Sequence, residues 1–222
     1  MTEINRRTFI KAAAVTGVAL GVSKDLFALG ALGNAKPKNP LPRWRGFNLL
    51  DFYTSRPLSA PRRNPGSLTK EDDFKWMADW GFDFVRIPIQ YPCYVNFDAG
   101  EDRTKKITPE QVLSFKEDAI QEIEKLVFLA NKYNLHVSLN LHRVPGFCVN
   151  SGFHEPYNLW EDEQAQQALY AHWEMWAKRF KNVSTKNLSF DLINEPCYRA
   201  DMNDQFSKKT PLPGDLYRKI AK

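Results

Sequence analysis

Asn194 and Glu195 are two adjacent polar residues that follow a short apolar run and precede a proline. The run, residues 188–193, predicts a buried strand, and Pro196 interrupts it because proline fixes its own φ and restricts the residue before it. A carboxamide and a carboxylate are therefore expected at the carboxyl end of a buried strand. Parallel α/β proteins hold ligands and carry out chemistry there. These residues alone are equally consistent with a strand that simply ends in polar side chains.

Two further predicted strands also end in polar side chains. Residues 82–88 predict a strand with Arg86 near its carboxyl end. Residues 135–142 alternate apolar and polar side chains and predict a strand that ends at His142. Because the carboxyl ends of parallel strands meet at one edge of a sheet, Arg86, His142 and Asn194-Glu195 are expected to converge.

Helical sequences separate these strands. A first strand is predicted within 44–51, and Thr69, with Asp72 three residues on, predicts the capped start of a helix that ends at Gly81. Thr108-Pro109 opens the next helical sequence. Helices are also predicted over 164–180 and from 215 onward. The order βαβαβαβ(α) predicts an α/β fold of parallel strands with crossover helices.

Composition narrows the class of protein. With 222 residues, 43% of them hydrophobic, the chain can bury a substantial core in one or two domains. The formal charge of +5 is modest and no dense Lys/Arg tract is present, so a nucleic-acid partner is not expected. The three cysteines, Cys93, Cys148 and Cys197, cannot all pair within one chain and lack the spacing of a metal site. One disulfide remains open as an alternative.

The first 35 residues are typical of an export signal. Arg6-Arg7 precede an Ala/Gly-rich apolar segment, residues 12–22, which matches a bacterial twin-arginine signal. That segment is shorter than the roughly 20 residues that a membrane span needs, and residues 33–35 offer a cleavage site with small side chains. We therefore expect a signal at 1–35, a mature domain at 36–222, a periplasmic or extracellular location, and no stable membrane insertion after cleavage.

The strand-end motifs together resemble glycoside hydrolase family 5, the clan A cellulases, β-mannanases and related β-glycanases. The matching segments cover roughly residues 43–200 and are Arg-Gly-Phe-Asn48, Val-Arg-Ile-Pro88, Leu-Asn-Leu-His142 and Ile-Asn-Glu-Pro196. The resemblance implies a (β/α)8 TIM barrel, of which this chain covers about the first four βα units. It also implies a retaining β-glycosidase that needs neither metal nor cofactor.

The resemblance implies a role for each matched residue. Glu195 corresponds to the acid/base, which protonates the departing oxygen and then deprotonates water. Asn194 corresponds to the residue that hydrogen-bonds the sugar 2-hydroxyl. Arg86 corresponds to an arginine that orients the nucleophile, and His142 to a histidine that contacts or supports the substrate. Aromatic side chains in loops at the expected carboxyl face are candidates for stacking on sugar rings: Trp44, Tyr91, Trp160 and Tyr198.

The second carboxylate of a retaining glycosidase is not identified in these 222 residues. The family's nucleophile is a Glu at the end of the seventh strand, whereas the strands predicted here number four. Glu155 and Glu161 lie in the loop after the third strand and are poor candidates. The chain is therefore expected to be the amino-terminal half of a longer enzyme and inactive alone.

The preferred substrate is a β-1,4-glucan, cleaved as an endoglucanase would cleave it. The alternatives are a β-mannanase, an exo-β-glucanase, a non-catalytic carbohydrate-binding protein, and a metal-dependent hydrolase built on His136 and His142. Nothing in the sequence specifies an oligomeric state.

Overall fold

A mostly parallel sheet with helices packed on its outer face makes up the part of the chain that can be described. The computed structural model describes residues 41–53, 69–97, 105–150, 154–196 and 213–220, and the chain from Trp44 onward belongs to one unit. The predicted export signal at 1–35 and the predicted stacking residue Tyr198 lie outside the described residues.

The elements follow the predicted alternation of strands and helices. The strands are β1 (Gly46–Asn48), β2 (Phe84–Gln90), β3 (His136–Val144), β4 (Phe147–Cys148) and β5 (Leu188–Asp191). The helices are α1 (Glu71–Asp79), α2 (Pro109–Val112), α3 (Glu117–Lys132), α4 (Glu163–Arg179) and α5 (Pro213–Ile220). A 3₁₀ turn, Tyr91–Cys93, follows β2 directly.

Within the described residues the sheet has five strands. β1 pairs with β2, β2 with β3 and β3 with β5, all in parallel, while the two-residue β4 folds back antiparallel on the end of β3. Each parallel pair is joined through a helix long enough to cross over the sheet. The α/β architecture predicted from the sequence is confirmed, and the parallel strands with their crossover helices are consistent with part of a βα barrel.

The two faces of the sheet differ in chemistry because side chains alternate along each strand. The outer face is apolar and packs against the helices; its central side chains are all fully buried: Val85, Ile87, Ile89, Val137, Leu139 and Leu141. Each such side chain contributes about 1.5–3 kcal/mol to stability. The inner face is polar and carries Arg86 on β2, Asn140 on β3 and Asp191 on β5.

The predicted start of the first helix is corrected by the structure. α1 begins at Glu71, and the Lys70 backbone N–H donates to the Asp73 carboxylate at 2.7 Å, so the predicted Thr69 cap is displaced by one residue. Thr69 instead donates its hydroxyl and its backbone N–H to Asp51, each at 2.7 Å. This contact brings together the two ends of the segment between β1 and α1.

The fourth predicted strand is shorter and less buried than expected. β5 ends at Asp191, and Phe190 keeps 38% of its surface exposed. Phe47 of β1, at the other end of the sheet, is 43% exposed. Both are outer-face aromatics on edge strands, and no described helix fully covers them. Among the described residues, no helix combines the length and the apolar character that crossing a bilayer requires.

Candidate active site

The Arg86 guanidinium lies at the centre of the polar groups that gather at the carboxyl edge of the sheet. It donates from Nε and Nη2 to Asp191 Oδ2, at 3.3 and 3.0 Å. Nη2 also donates to Asn194 Oδ1 at 2.8 Å, and Nη1 to Asn48 Oδ1 at 3.4 Å. One arginine from β2 therefore links groups from β1, from β5 and from the turn after β5, and the predicted convergence of Arg86 and Asn194 is found.

The backbone after β5 holds Asn194 and Glu195 in a specific conformation. The Asn194 backbone N–H donates to the Leu141 carbonyl of β3 at 3.1 Å, which extends the sheet contact beyond the end of β5. Glu195 has a φ of +44°, in the left-handed region that side chains with a Cβ rarely adopt. Glu195 therefore departs from the extended backbone that residues before proline usually adopt. Such strain is often found at functional positions.

His142 lies buried at the end of the inner face of β3. The Tyr53 ring packs edge-on against the imidazole with centroids 4.7 Å apart, and Asn150 Nδ2 contacts both Tyr53 Oη, at 3.0 Å, and His142 Nε2, at 3.5 Å. Burial lowers the pKa of His142, and the positive charge of Arg86 lowers it further, while the negative charges of Glu195 and Asp191 oppose the shift. The net shift favours the neutral form of the imidazole.

These groups together suit the recognition and cleavage of a polyhydroxylated ligand. Glu195 is exposed and can exchange a proton with a ligand or with water. The amide nitrogen of Asn194 and Nδ1 of His142 are both buried and have no hydrogen-bond partner among the described residues. Buried polar groups without partners are costly, so both are suited to bonding a ligand that enters the site.

Glu155, which the sequence offered as a weak candidate for the second carboxylate, has a structural role. It forms a buried ion pair with Arg143, at 2.5 Å, with side-chain exposures of 4% and 3%. Its other oxygen accepts hydrogen bonds from Tyr91 Oη, at 2.7 Å, and from the Gly146 N–H, at 3.1 Å. A carboxylate held by three donors and shielded from solvent is not placed to attack a substrate.

His136 and Trp44 lie at the opposite, amino edge of the sheet. The two rings stack with centroids 3.9 Å apart, beside Phe84, the first residue of β2. Trp44 was predicted to lie at the carboxyl face and to stack on sugar, and this is wrong: it precedes β1, so it lies where the strands begin. The ring nitrogens of His136 bond to the Lys186 carbonyl, at 2.8 Å, and to Ser189 Oγ, at 2.9 Å.

A metal site shared by His136 and His142 is excluded by the same geometry. The two residues lie six positions apart on one extended strand, which separates them by about 20 Å. Within the described ranges, no three His, Cys, Asp or Glu side chains lie close enough together to hold a metal ion.

The other predicted stacking residues have different outcomes. Tyr91 follows β2 at the carboxyl edge, but its ring is fully buried, with its hydroxyl on Glu155, so its predicted role in sugar stacking is wrong. Trp160 is half-buried and packs edge-to-face on Phe147, with centroids 5.6 Å apart. Its role as a sugar platform stays a prediction.

Sequence reasoning missed Asp191 and the two neighbours of His142, Tyr53 and Asn150. Asp191 could have been found from the alternation of β5, because it shares the inner face with Ser189. Tyr53 and Asn150 lie in loops, and no periodic pattern in the sequence indicates which loop side chains reach His142.

Comparison with known proteins gives one consistent family. A family model described as Cellulase (glycosyl hydrolase family 5) matches residues 37–209. Cellodextrinase A of Ruminococcus flavefaciens is 34% identical over 152 residues, which are 68% of this chain and 40% of that protein. Endoglucanase C of Acetivibrio thermocellus is 30% identical over 125 residues, 56% of this chain and 32% of that protein.

A solved structure described as a glycoside hydrolase is similar with a TM-score of 0.58 and 29% identity, over 80% of this chain and 47% of that chain. The chain therefore spans less than half the length of each of these three proteins.

Proposed function

The chain belongs to glycosyl hydrolase family 5, and we propose that it carries one half of the active site of a retaining β-glycosidase that hydrolyses a β-1,4-glucan. The observation that carries the proposal is the cluster around Arg86, which bonds Asn194 at 2.8 Å directly beside Glu195. Glu195 acts as general acid toward the departing glycosidic oxygen and then as general base toward water. Asn194 bonds the 2-hydroxyl of the sugar at the point of cleavage.

The nucleophile is proposed to come from polypeptide outside these 222 residues. Retention requires a second carboxylate about 5–5.5 Å from the first, and in the described part of the chain Glu155 and Asp191 are both engaged by arginines. We expect the chain alone to be inactive on β-glucans. Turnover of cellotetraose by the purified chain would contradict this expectation.

Glucan is preferred over mannan because the relatives are named for glucan or cellodextrin cleavage. The β-mannanase and exo-β-glucanase alternatives are separated from an endoglucanase by two assays on the complete enzyme. One compares the rates on cellotetraose and mannotetraose, and the other measures the viscosity loss of carboxymethylcellulose. A faster rate on mannotetraose would overturn the choice of glucan, and release of sugar without viscosity loss would indicate exo action.

The acid/base assignment is tested with Glu195→Gln in the complete enzyme that contains this chain. Cellotetraose hydrolysis should fall about 10²- to 10⁴-fold, because its leaving group needs a proton. Release of dinitrophenol from an activated aryl cellobioside in the first turnover should fall far less, because that leaving group departs without protonation. Glu122→Gln, on the exposed side of α3, is the matched control and should change neither rate. Hydrolysis of cellotetraose by Glu195→Gln within tenfold of the wild-type rate would refute the assignment.

A non-catalytic carbohydrate-binding protein is the second candidate, and the engagement of Glu155 and Asp191 by arginines is the observation that favours it. This candidate predicts that the complete protein binds cellotetraose but hydrolyses neither cellotetraose nor the activated aryl cellobioside. Calorimetric titration with cellotetraose, together with the rates on these two substrates, distinguishes the candidates.

We further propose that residues 1–35 direct export by the twin-arginine route to the periplasm or the exterior. The match of the family model begins at residue 37, immediately after the proposed signal, and this supports the boundary. Replacing Arg6 and Arg7 by lysines should leave the protein in the cytoplasm of a bacterial host with its amino terminus uncleaved. Unchanged export of the double variant would contradict the route.

A further inference from the structure

Asp191 occupies the last position of β5, on the inner face of the sheet. Its ion pair with Arg86 of β2 spans two strands that are not neighbours, because β3 lies between them. The register places Ser138 beside Arg86 and Asn140 beside Asp191. Asn140 Nδ2 donates to the Asp191 carbonyl at 3.2 Å, so the backbone that carries the carboxylate is itself held.

The bonds of Arg86 determine how the Asn194 amide is oriented. A guanidinium has only donors, so the Asn194 atom it contacts at 2.8 Å is the amide oxygen. The other end of the amide, Nδ2, is buried and has no partner within the described residues. With its oxygen bound to Arg86 and its backbone N–H on Leu141, Asn194 can turn only its NH₂ group toward a ligand.

Asp191 in turn determines where Arg86 lies. Two guanidinium nitrogens, Nε and Nη2, converge on one Asp191 oxygen, at 3.3 and 3.0 Å. Both partners of this contact are charged and two bonds join them, whereas a single bond joins Arg86 to the neutral Asn194 amide, so the carboxylate has the larger effect on the position of the guanidinium. Asp191 therefore fixes the position of Arg86, and Arg86 in turn orients the Asn194 amide.

We propose that Asp191 is a positioning residue that acts through Arg86 to present the Asn194 NH₂ group as a hydrogen-bond donor to a hydroxyl oxygen of the ligand. This inference rests on the proposed function, in which the hydroxyl is the sugar 2-hydroxyl. Asp191 itself does not contact the reacting atoms. A purely structural ion pair, which only ties β2 to β5, is the competing explanation.

The kinetic test uses Asp191→Asn in the complete enzyme with two substrates, an aryl β-cellobioside and its analogue without the 2-hydroxyl at the cleaved sugar. For the normal substrate kcat/KM should fall about tenfold, mostly in kcat, because the bond strengthens in the transition state. For the deoxy analogue, which cannot make the bond, the fall should stay below about twofold. Equal losses on both substrates would overturn the proposal and favour a role that does not involve the 2-hydroxyl, either a purely structural ion pair or orientation of the nucleophile by Arg86. Asp118→Asn, an exposed residue of α3, is the matched control for loss of one negative charge.

A second test does not depend on activity and uses the 222-residue chain itself. In nuclear magnetic resonance spectra, Asp191→Asn should speed exchange of the Arg86 Nε–H about tenfold or more and shift the side-chain amide resonances of Asn194. Asp118→Asn should change neither. Unchanged Asn194 resonances in Asp191→Asn would overturn the proposal even if the enzyme is active. The complete protein could hydrolyse no glycoside while Asp191→Asn still gives the expected spectral changes. That combination would refute the proposed function but support the positioning role of Asp191.

Discussion

His172 should make the stability of this protein depend on pH in a window set by its burial. The residue lies on α4 with no exposed surface, and its two ring nitrogens have different partners. Nε2 donates to the Val112 carbonyl at 2.9 Å, because a carbonyl can only accept, and Nδ1 therefore accepts from Tyr94 Oη at 2.7 Å. Burial lowers the pKa of His172 to about 4, against an ordinary value of 6.5.

The sign of the effect follows from proton counting. Between about pH 4 and pH 6.5 the unfolded chain binds a proton at His172 that the folded chain does not, so stability falls as the pH is lowered through this window. Above pH 6.5 both states are neutral and the contribution is constant. A difference of about 2.5 pKa units corresponds to about 3 kcal/mol in full, with about 2 kcal/mol already lost at pH 5.

The measurement is urea unfolding of the wild-type chain and of His172→Gln at pH 7.5 and pH 5. Other groups titrate over the same range, but they do so in both proteins, so the difference between the two pH dependences isolates His172. The wild-type chain should lose about 2 kcal/mol more unfolding free energy than His172→Gln between the two pH values. The control is His154→Gln, since His154 is exposed, and its pH dependence should match that of the wild type.

Two results would refute the reasoning about His172. One is an equal pH dependence in the wild type and His172→Gln. The other is an imidazole resonance of His172 in the folded chain that titrates near pH 6.5, because this would mean that the ring can charge without cost.

Three further predictions concern the free energy of unfolding, measured by urea denaturation. Gly146→Ala should cost about 2–3 kcal/mol, because Gly146 has a φ of +81° and an added Cβ would lie 2.6 Å from a backbone nitrogen. Gly81→Ala, with a φ of +79° and open space around the Cβ, should cost only about 1 kcal/mol, and equal losses would contradict this contrast. Glu155→Gln should cost about 3 kcal/mol or more, because it leaves the buried Arg143 guanidinium without its carboxylate; a loss below about 1 kcal/mol would refute the structural role. Glu195→Gly should be about 1 kcal/mol more stable than Glu195→Ala, because glycine adopts a positive φ without strain, and equal stabilities would show that the backbone there is not strained.

The predictions that rested on chain order and side-chain alternation are the ones that the structure reproduces. Alternation placed Arg86 and His142 on the polar face of their strands, and both lie there. The strand ends were less accurate, because β2 extends to Gln90 and Arg86 is its third residue rather than one near its carboxyl end. The position of Trp44 at the amino edge also follows from chain order, since a residue that precedes a parallel strand lies where that strand begins. Its assignment to the carboxyl face ignored this constraint.

The failed prediction for Tyr91 and the unpredicted backbone of Glu195 both involve contacts between residues far apart in the chain. Tyr91 follows β2, as a ligand-stacking residue could, yet its hydroxyl bonds to Glu155, 64 positions away. The backbone of Glu195 departs from the pre-proline expectation, next to the bond that fixes Asn194 to Leu141 of β3. Local propensity describes a residue in its own segment and contains no information about such partners.

The sequence by itself determined the order of strands and helices, the inner and outer faces of the sheet, and the types of polar group at its carboxyl edge. It did so because the alternation of side chains along a strand and the breaks at proline are local properties of the chain. Only the tertiary structure decided which of those groups bond to one another. Asp191 anchors Arg86 across the intervening strand, and Arg86 orients Asn194. These bonds depend on the register of β2, β3 and β5. The paired residues are about 50 to 100 positions apart in the chain, so the register exists only once the sheet has formed.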